Sequence, residues 1–246
     1  VGSNDGTLLN EYKKLGMKVV GVEPTNVAKY ANSKGIKTIQ NSFNIKIAKK
    51  IIKTFGKAKL ITATNVFAHM SSLGDVIDAI CETLDHDGYF IFENHYMVDI
   101  LKYNQYDTIY HEHIRNYSLK SLVYLFNLYG LKIIDCEVLD RYNGSIKVIV
   151  AKNKKTKIHK RVEETLNKEM KFGLTKKKVW NEFRANTKKS KDDLIKLLYK
   201  LKKDNKTIVG NSCPCRSSVL LNYCGIGKDL IPYIAEQPTS PKLGLY

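Results

Sequence analysis

Asp107, Tyr110, His111, Glu112 and His113 stand within seven positions of one another, in the run DTIYHEHIRNYSL. A cluster of this kind can be a metal site, an acid–base site or a polar turn. Histidine takes and gives a proton near neutral pH, and a tyrosine O–H can donate to an oxygen on which charge develops. The metal reading is the weaker one. H-E-H lacks the H-E-x-x-H spacing that sets two imidazoles on one helix face, and further ligands would have to converge from separate elements.

A second set of groups opens the chain. In VGSNDGTLL, Gly2 and Gly6 allow a tight path between a strand end and a helix start, with Asn4 and Asp5 in the turn. Backbone N–H groups there, and the positive end of a helix, suit a ligand that approaches the main chain closely. Glu23 follows Gly2 by 21 positions, at the end of the next predicted strand. In dinucleotide-type sites an acidic residue about 20 positions on accepts from a ribose. The plain alternative for Glu23 is a solvated strand end. The turn is neither G-x-G-x-x-G nor a P-loop. An adenosyl ligand without a pyrophosphate, such as S-adenosylmethionine, therefore fits better than a nicotinamide dinucleotide. Asn65, in TNVFAHM after the strand ITA, is placed to meet the amino-acid part of such a ligand. His69 reads as a capping or packing histidine.

These groups need a frame. Over the first 150 residues strand-like and helix-like segments alternate: MKVVGVEP, a helix ending at Gly35, IKTIQ, AKLITATNVF, the helix DVIDAICETL, then GYFIFEN. The helix SLKSLVYLFNLYGL closes at Gly130, and KIIDCEVLD and GSIKVIVAK follow as two β-rich runs. That alternation predicts an α/β fold, a mainly parallel sheet with helices on both faces, whose binding crevice lies at the carboxyl ends of the strands. Residues 1–151 are expected to form one domain and 152–206 a lysine-rich helical segment. Residues 207–246 have the form strand, small-residue turn, helix, the start of a second α/β domain.

Composition removes several classes of function. No apolar run approaches the roughly 20 residues that span a bilayer, so no membrane partner is expected. The chain begins at Val1 in a turn and reads as a fragment. Five scattered cysteines are the usage of a reducing compartment, which makes the cytoplasm the expected location. The net charge of +17 raises an RNA-binding module or RNA methyltransferase as an alternative. Of the 41 basic residues, however, only Arg115, Arg141, Arg161, Arg184 and Arg216 carry the guanidinium fork that phosphates and base edges favour. The lysines lie at helical spacing, as on a solvated face, so no nucleic-acid partner is expected.

VGSNDGTLL, GVEP, TNVFAHM, FIFENHY, DTIYHEH, NGSIKV and LLNYCGI together resemble the sugar C-methyltransferases. The resemblance runs nearly end to end, and YHEH with LLNYCGI is its most specific part. It implies a Rossmann-like class I methyltransferase sheet followed by a helical segment and part of a further α/β domain. The strand that opens such a domain, with its acidic residue, and a zinc-binding N-terminal module are expected outside this sequence. Zinc is expected only in that module. The implied reaction is S-adenosylmethionine-dependent methylation of a carbon beside a ketone on a nucleotide-linked deoxysugar, in a monomer or an oligomer. A NAD-dependent oxidoreductase is the rival enzyme reading, from the same sheet pattern.

Carbon methylation needs a base at the C–H and a donor at the ketone oxygen. The resemblance implies His113 as base, Tyr110 as donor and Glu112 as a partner that orients or polarises the site. The roles of Tyr110 and His113 can be exchanged. His111 is expected to face away, as neighbours on an extended segment do. Gly2, Asn4, Asp5, Gly6, Glu23 and Asn65 are the cofactor set. Glu93 and Tyr96, after the strand FIFE, and Gly144 and Ser145 are the sugar-side set, with Asn94 and His95 tuning the choice of sugar. Arg216, Ser218, Asn222 and Tyr223 are expected to hold a nucleotide diphosphate at a helix N-terminus. Cys213 and Cys215 are expected to be buried small apolar groups.

Overall fold

A computed structural model describes residues 1–153, 155–240 and 242–244. Lys154 and, in the predicted C-terminal segment, Pro241, Leu245 and Tyr246 lie outside the described residues. The chain forms two compact units, one of residues 1–97 and 114–172, the other of residues 98–113 and 173–246. These units cut across the segments expected from the sequence. Residues 98–113 join the C-terminal unit, and residues 152–172 stay with the first.

In the first unit, helix α1 (Thr7–Lys14) leads to β1 (Gly21–Glu23), α2 (Val27–Ser33), β2 (Thr38–Gln40), α3 (Ile45–Phe55) and β3 (Ala58–Thr64). After a 3-10 turn at Phe67–His69 come α4 (Leu73–Thr83), β4 (Leu84–His95) and α5 (Met97–Lys102), which runs into the second unit. The first unit resumes with α6 (Leu119–Leu128), β5 (Lys132–Leu139), β6 (Ser145–Ala151) and α7 (Lys160–Phe172). β1 and β2 pair in parallel as one small sheet, and β3-β4-β6-β5 form a second. β3 and β4 are parallel, while β6 runs against both of its neighbours. Only residues 140–144 join β5 to β6, too few for a parallel crossover, so the last strand must reverse. An apolar cavity of about 490 Å³ is lined by Val19 and Val20, just ahead of β1, and by Leu60 and Ile61 of β3 among others.

The core gathers on the face of β4 that carries Phe90 and Phe92. Phe67 and Phe126 close on them, with Phe67–Phe92 centroids 5.0 Å apart and Phe92–Phe126 5.5 Å apart. Helix α6 supplies Leu119, Leu122 and Phe126 to the interior at i, i+3 and i+7. It stops at Gly130, whose φ of 69° is the left-handed conformation of a helix end. Its start is capped twice. Ser118 and Ser121 form a capping box, and the buried Glu169 of α7 accepts from the N–H of Leu119 and, at 2.9 Å, of Lys120. Glu169→Ala strands those two donors beside an apolar side chain. It is expected to cost about 1–3 kcal/mol and to lower the melting temperature by several degrees; an unchanged thermal transition would show that the cap carries no weight.

The second unit contains α5 from Val98 on, a 3-10 turn at Tyr106–Thr108, and α8 (Lys177–Lys203). A short βαβ arrangement follows: β7 (Val209–Asn211), α9 (Cys215–Cys224) and β8 (Tyr233–Ala235), with the strands parallel. Thr187 of α8 donates to Asn104 at 3.0 Å, tying that helix to the 98–113 segment. Among the described residues no helix is long and apolar enough to cross a membrane.

Candidate functional site

The turn after Val1 is built by hydrogen bonds that its own sequence provides. Ser3 donates its N–H to the carbonyl of Val22 at 3.2 Å. The N–H of Asn4, a residue at φ 50°, donates to Oε2 of Glu23 at 3.0 Å. The other carboxylate oxygen accepts from Thr25, 3.0 Å from its N–H and 2.8 Å from its hydroxyl. Glu23 is therefore buried and engaged, not a solvated strand end. Asp5 accepts from the N–H and hydroxyl of Thr7 at 3.1 and 2.9 Å, where the turn enters α1. The Thr7 hydroxyl bond holds its carboxyl below the usual range, with the Thr7 N–H as a further cause. Gly2 has φ 61°, and a Cβ there would stand 2.4 Å from Val66 Cγ2. Only glycine lets the turn lie so close to the end of β3.

At that strand end Asn65 takes φ 53° and donates its N–H to the carbonyl of Glu93 at 2.9 Å. Three side chains here hold buried polar atoms without a partner among the described residues: Oδ1 of Asn65, Oε1 of Glu93 and both amide atoms of Asn94. Glu93 and Asn94 are 6% and 1% exposed. Such atoms are rare in folded proteins and call for water or a ligand. The other oxygen of Glu93 meets Arg141 Nη1 at 3.5 Å, from the loop between β5 and β6. The sequence reading gave Arg141 no role. Tyr96 is buried, and its N–H donates to Gly144 at 3.3 Å. Ser145 is fully buried, with its hydroxyl on the Arg141 carbonyl at 3.3 Å. Gly144, at φ 125°, keeps the turn.

The cluster around Tyr110 and His113 lies in the second unit, and it is a turn rather than an extended segment. The N–H of His113 donates to the Tyr110 carbonyl at 2.9 Å, closing residues 110–113 into a β-turn. A turn brings its first and fourth residues together and pushes the middle two outward. His111 and Glu112 are accordingly exposed at the tip. His111 is set aside as expected, but for this reason and not through strand alternation. Glu112 does not orient the pair by a hydrogen bond; it acts on Tyr110 through charge alone.

Tyr110 Oη lies 3.3 Å from His113 Nε2, and His113 Nδ1 lies 2.8 Å from the Thr108 carbonyl oxygen. A carbonyl can only accept, so Nδ1 carries a proton, and when the ring is neutral Nε2 presents a lone pair. Burial pushes the Tyr110 hydroxyl up from its ordinary pKa, helped by the charges of Glu112 and Cys215 and opposed by Arg216. The phenol is thus held as a donor beside an imidazole whose neutral form is an acceptor at Nε2.

Helix α9 only partly matches the expectation for it. Arg216 and Ser218 stand in its first turn, but Asn222 and Tyr223 stand in its last, so the four cannot share an N-terminal seat. The side chain of Asn222 donates to the carbonyl of Ser218 at 2.7 Å. Cys215 is exposed and Cys213 half-buried, because the turn between β7 and α9 faces solvent; the buried thiols are Cys136 and Cys224.

One arrangement from the first unit recurs here. Ser212, at φ 66°, donates its N–H to the carbonyl of Ala235 at 2.7 Å, and Cys213 donates to Oε1 of Glu236 at 2.7 Å. Ser3 and Asn4 meet Val22 and Glu23 in the same way. Glu236, absent from the sequence reading, borders a polar hollow of about 600 Å³ with Asn211, Ser212, Gln237 and Lys242. Among the described residues no three His, Cys, Asp or Glu side chains converge as a metal site.

Residues 1–135 match the model of a methyltransferase domain, and residues 141–246 that of a C-methyltransferase C-terminal domain. The chain is 34% identical over 237 residues to the C-methyltransferase NovU of Streptomyces niveus, an alignment covering 96% of this chain and 56% of that protein. It thus spans little more than half the length of that relative. Among solved structures it is similar to a chain of a complex between the Haloferax volcanii Trm112 methyltransferase activator and a methyltransferase. The TM-score is 0.50 at 11% identity, over 62% of this chain and 80% of that one, a likeness of fold.

Proposed function

This chain belongs to the methyltransferase domain family, and from that premise we propose that it methylates a carbon beside a ketone on a nucleotide-linked deoxysugar. The observation that carries the proposal is the Tyr110–His113 pair, with Nε2 3.3 Å from the phenol and Nδ1 tied to Thr108. An α-carbon and its ketone oxygen are two bonds apart. A base and a donor within hydrogen-bond reach of one another can therefore address both.

In this reading Nε2 of His113 takes the α-proton while the Tyr110 O–H donates to the ketone oxygen as it gains charge. The C–H bond breaks, an N–H bond forms, and the electron pair is shared with the oxygen as an enolate. The raised pKa of Tyr110 favours this assignment over the exchanged one, because the phenol stays protonated near neutral pH. S-adenosylmethionine, when bound, supplies an electrophilic methyl group for the carbon.

The residues of the first unit fit that cofactor. The close approach at Gly2, the carboxylate of Glu23 beside the Asn4 N–H, and the orphaned Oδ1 of Asn65 would face its backbone-near, ribose and ammonium groups. Gly6 and Asp5 shape the turn from behind. Glu93, Asn94 and Arg141 are the sugar-side candidates. For the nucleotide half, Arg216 and Ser218 in the first turn of α9 suit a phosphate. Glu236, which repeats the setting of Glu23, suits a ribose.

The test is solvent exchange. In deuterated water the protein should place deuterium at the carbon next to the ketone of a nucleotide-linked keto-deoxysugar, and with S-adenosylmethionine it should give a carbon-methylated product. A methyl found on oxygen, or thermal protection by NAD(H) and not by S-adenosylmethionine, would overturn the proposal.

A further inference from the structure

Asp107 takes no part in the chemistry above, yet it joins two parts of the second unit. Its carboxylate receives the side-on fork of Arg216, Nε on Oδ2 and Nη2 on Oδ1, both at 2.9 Å. The two side chains are 31% and 30% exposed, so solvent screens the pair only in part. Tyr106, one residue earlier, sets its ring 5.4 Å from that of Tyr223. The short turn at Tyr106–Thr108 is thus gripped by α9 through the first turn of the helix, at Arg216, and through the last, at Tyr223. Thr108, one residue later, is fully buried and offers its carbonyl to Nδ1 of His113.

We propose that Asp107 is a positioning residue: by holding Arg216 it fixes the Tyr106–Thr108 turn on α9, keeps the Thr108 carbonyl on Nδ1 of His113, and so keeps Nε2 free of a proton. The chemistry follows from the two tautomers of imidazole. A ring whose Nδ1 loses its acceptor can carry its proton on Nε2 instead, and then presents an N–H where the base needs a lone pair. Asp107 reaches no reacting atom; it acts through Arg216 and Thr108. The side-on fork also occupies Nε and one hydrogen of Nη2, leaving Nη1 for a phosphate oxygen. One ion pair then sets both the aim of Arg216 and the tautomer of the base. The catalytic consequence rests on the methyl-transfer reading; the tautomer does not.

The experiment reads the histidine directly. Nitrogen-15 NMR of the imidazole rings in the unaltered protein should show His113 protonated on Nδ1. In Asp107→Asn that signature should shift toward the Nε2–H tautomer. Exchange at the substrate carbon should slow by about tenfold or more, with S-adenosylmethionine affinity kept. Arg216→Gln should do the same, and it carries the test if the Asp107 variant does not fold. Because both changes break one contact, the double variant should be no worse than the more damaged single, and Asp107→Glu should recover part of the rate. An unchanged His113 tautomer in the singles, or losses that multiply in the double, would overturn the proposal. If the unaltered protein catalyses no exchange, the methyl-transfer reading falls instead, and the tautomer measurement still judges Asp107.

Discussion

His113→Ala is expected to slow deuterium exchange at the substrate carbon by about 10²- to 10⁴-fold, while S-adenosylmethionine binds as before. The size of the effect follows from what the ring does in this fold. Its Nδ1 is committed to Thr108 and its Nε2 faces Tyr110, so alanine removes the one lone pair presented there. Tyr110 cannot take its place near neutral pH, because burial, Glu112 and Cys215 together keep its hydroxyl protonated against the opposing pull of Arg216. The rate lost should therefore not return until the pH rises above the ordinary tyrosine range. His113 is only half-buried, so the truncation opens no core cavity, and the thermal transition should move little. The residues proposed to hold the cofactor belong to the other compact unit, so binding is expected to survive. Exchange at the original rate in the variant would remove His113 as the base.

How much of this was legible in the sequence depends on the range of the interaction involved. The alternation of strands and helices was readable because it rests on local periodicity, and every strand expected in the first 150 residues is present. The reversal of β6 follows from a loop length that is also local. Within the candidate site, Tyr110 and His113 were singled out because their side-chain types suit the chemistry and the family resemblance points to them, and the structure brings the two together. Glu112 was expected to orient or polarise the site; the turn leaves it exposed at the tip, where it acts on Tyr110 through charge. Thr108 could not be found, since it acts through a carbonyl that any residue possesses. Asp107 stood in view with no role, because its partner lies 109 positions away. Glu236 did carry a signal: an acid closing a strand after a strand–turn–helix run, the pattern that singled out Glu23. The short Tyr233–Ala235 strand hid it. Cys213 and Cys215 were misplaced because cysteine type predicts burial on average, whereas their turn is solvent-facing.

Glu23→Gln separates the structural role seen at this carboxylate from the ribose-binding role proposed for it. Glu23 already has three donors from its own chain, so it is a structural residue before any ligand arrives. An amide of the same shape must turn its NH₂ toward either the Asn4 N–H or the Thr25 N–H, leaving a donor facing a donor. That mismatch is expected to cost about 1–3 kcal/mol of stability. If Glu23 also accepts from ribose hydroxyls, the variant should in addition bind S-adenosylmethionine about 10- to 100-fold more weakly, a loss of about 1.4–2.8 kcal/mol. Thermal unfolding without ligand measures the first effect, and calorimetric titration at a temperature where the variant is folded measures the second. Glu11→Gln on the exposed face of α1, where the carboxylate meets Lys14, should change neither. A lowered melting temperature with unchanged affinity would mean that Glu23 holds the turn and does not touch the ligand. The ribose role would then pass to another acceptor, and the turn at Gly2–Gly6 would remain a cradle shaped by Glu23 from behind.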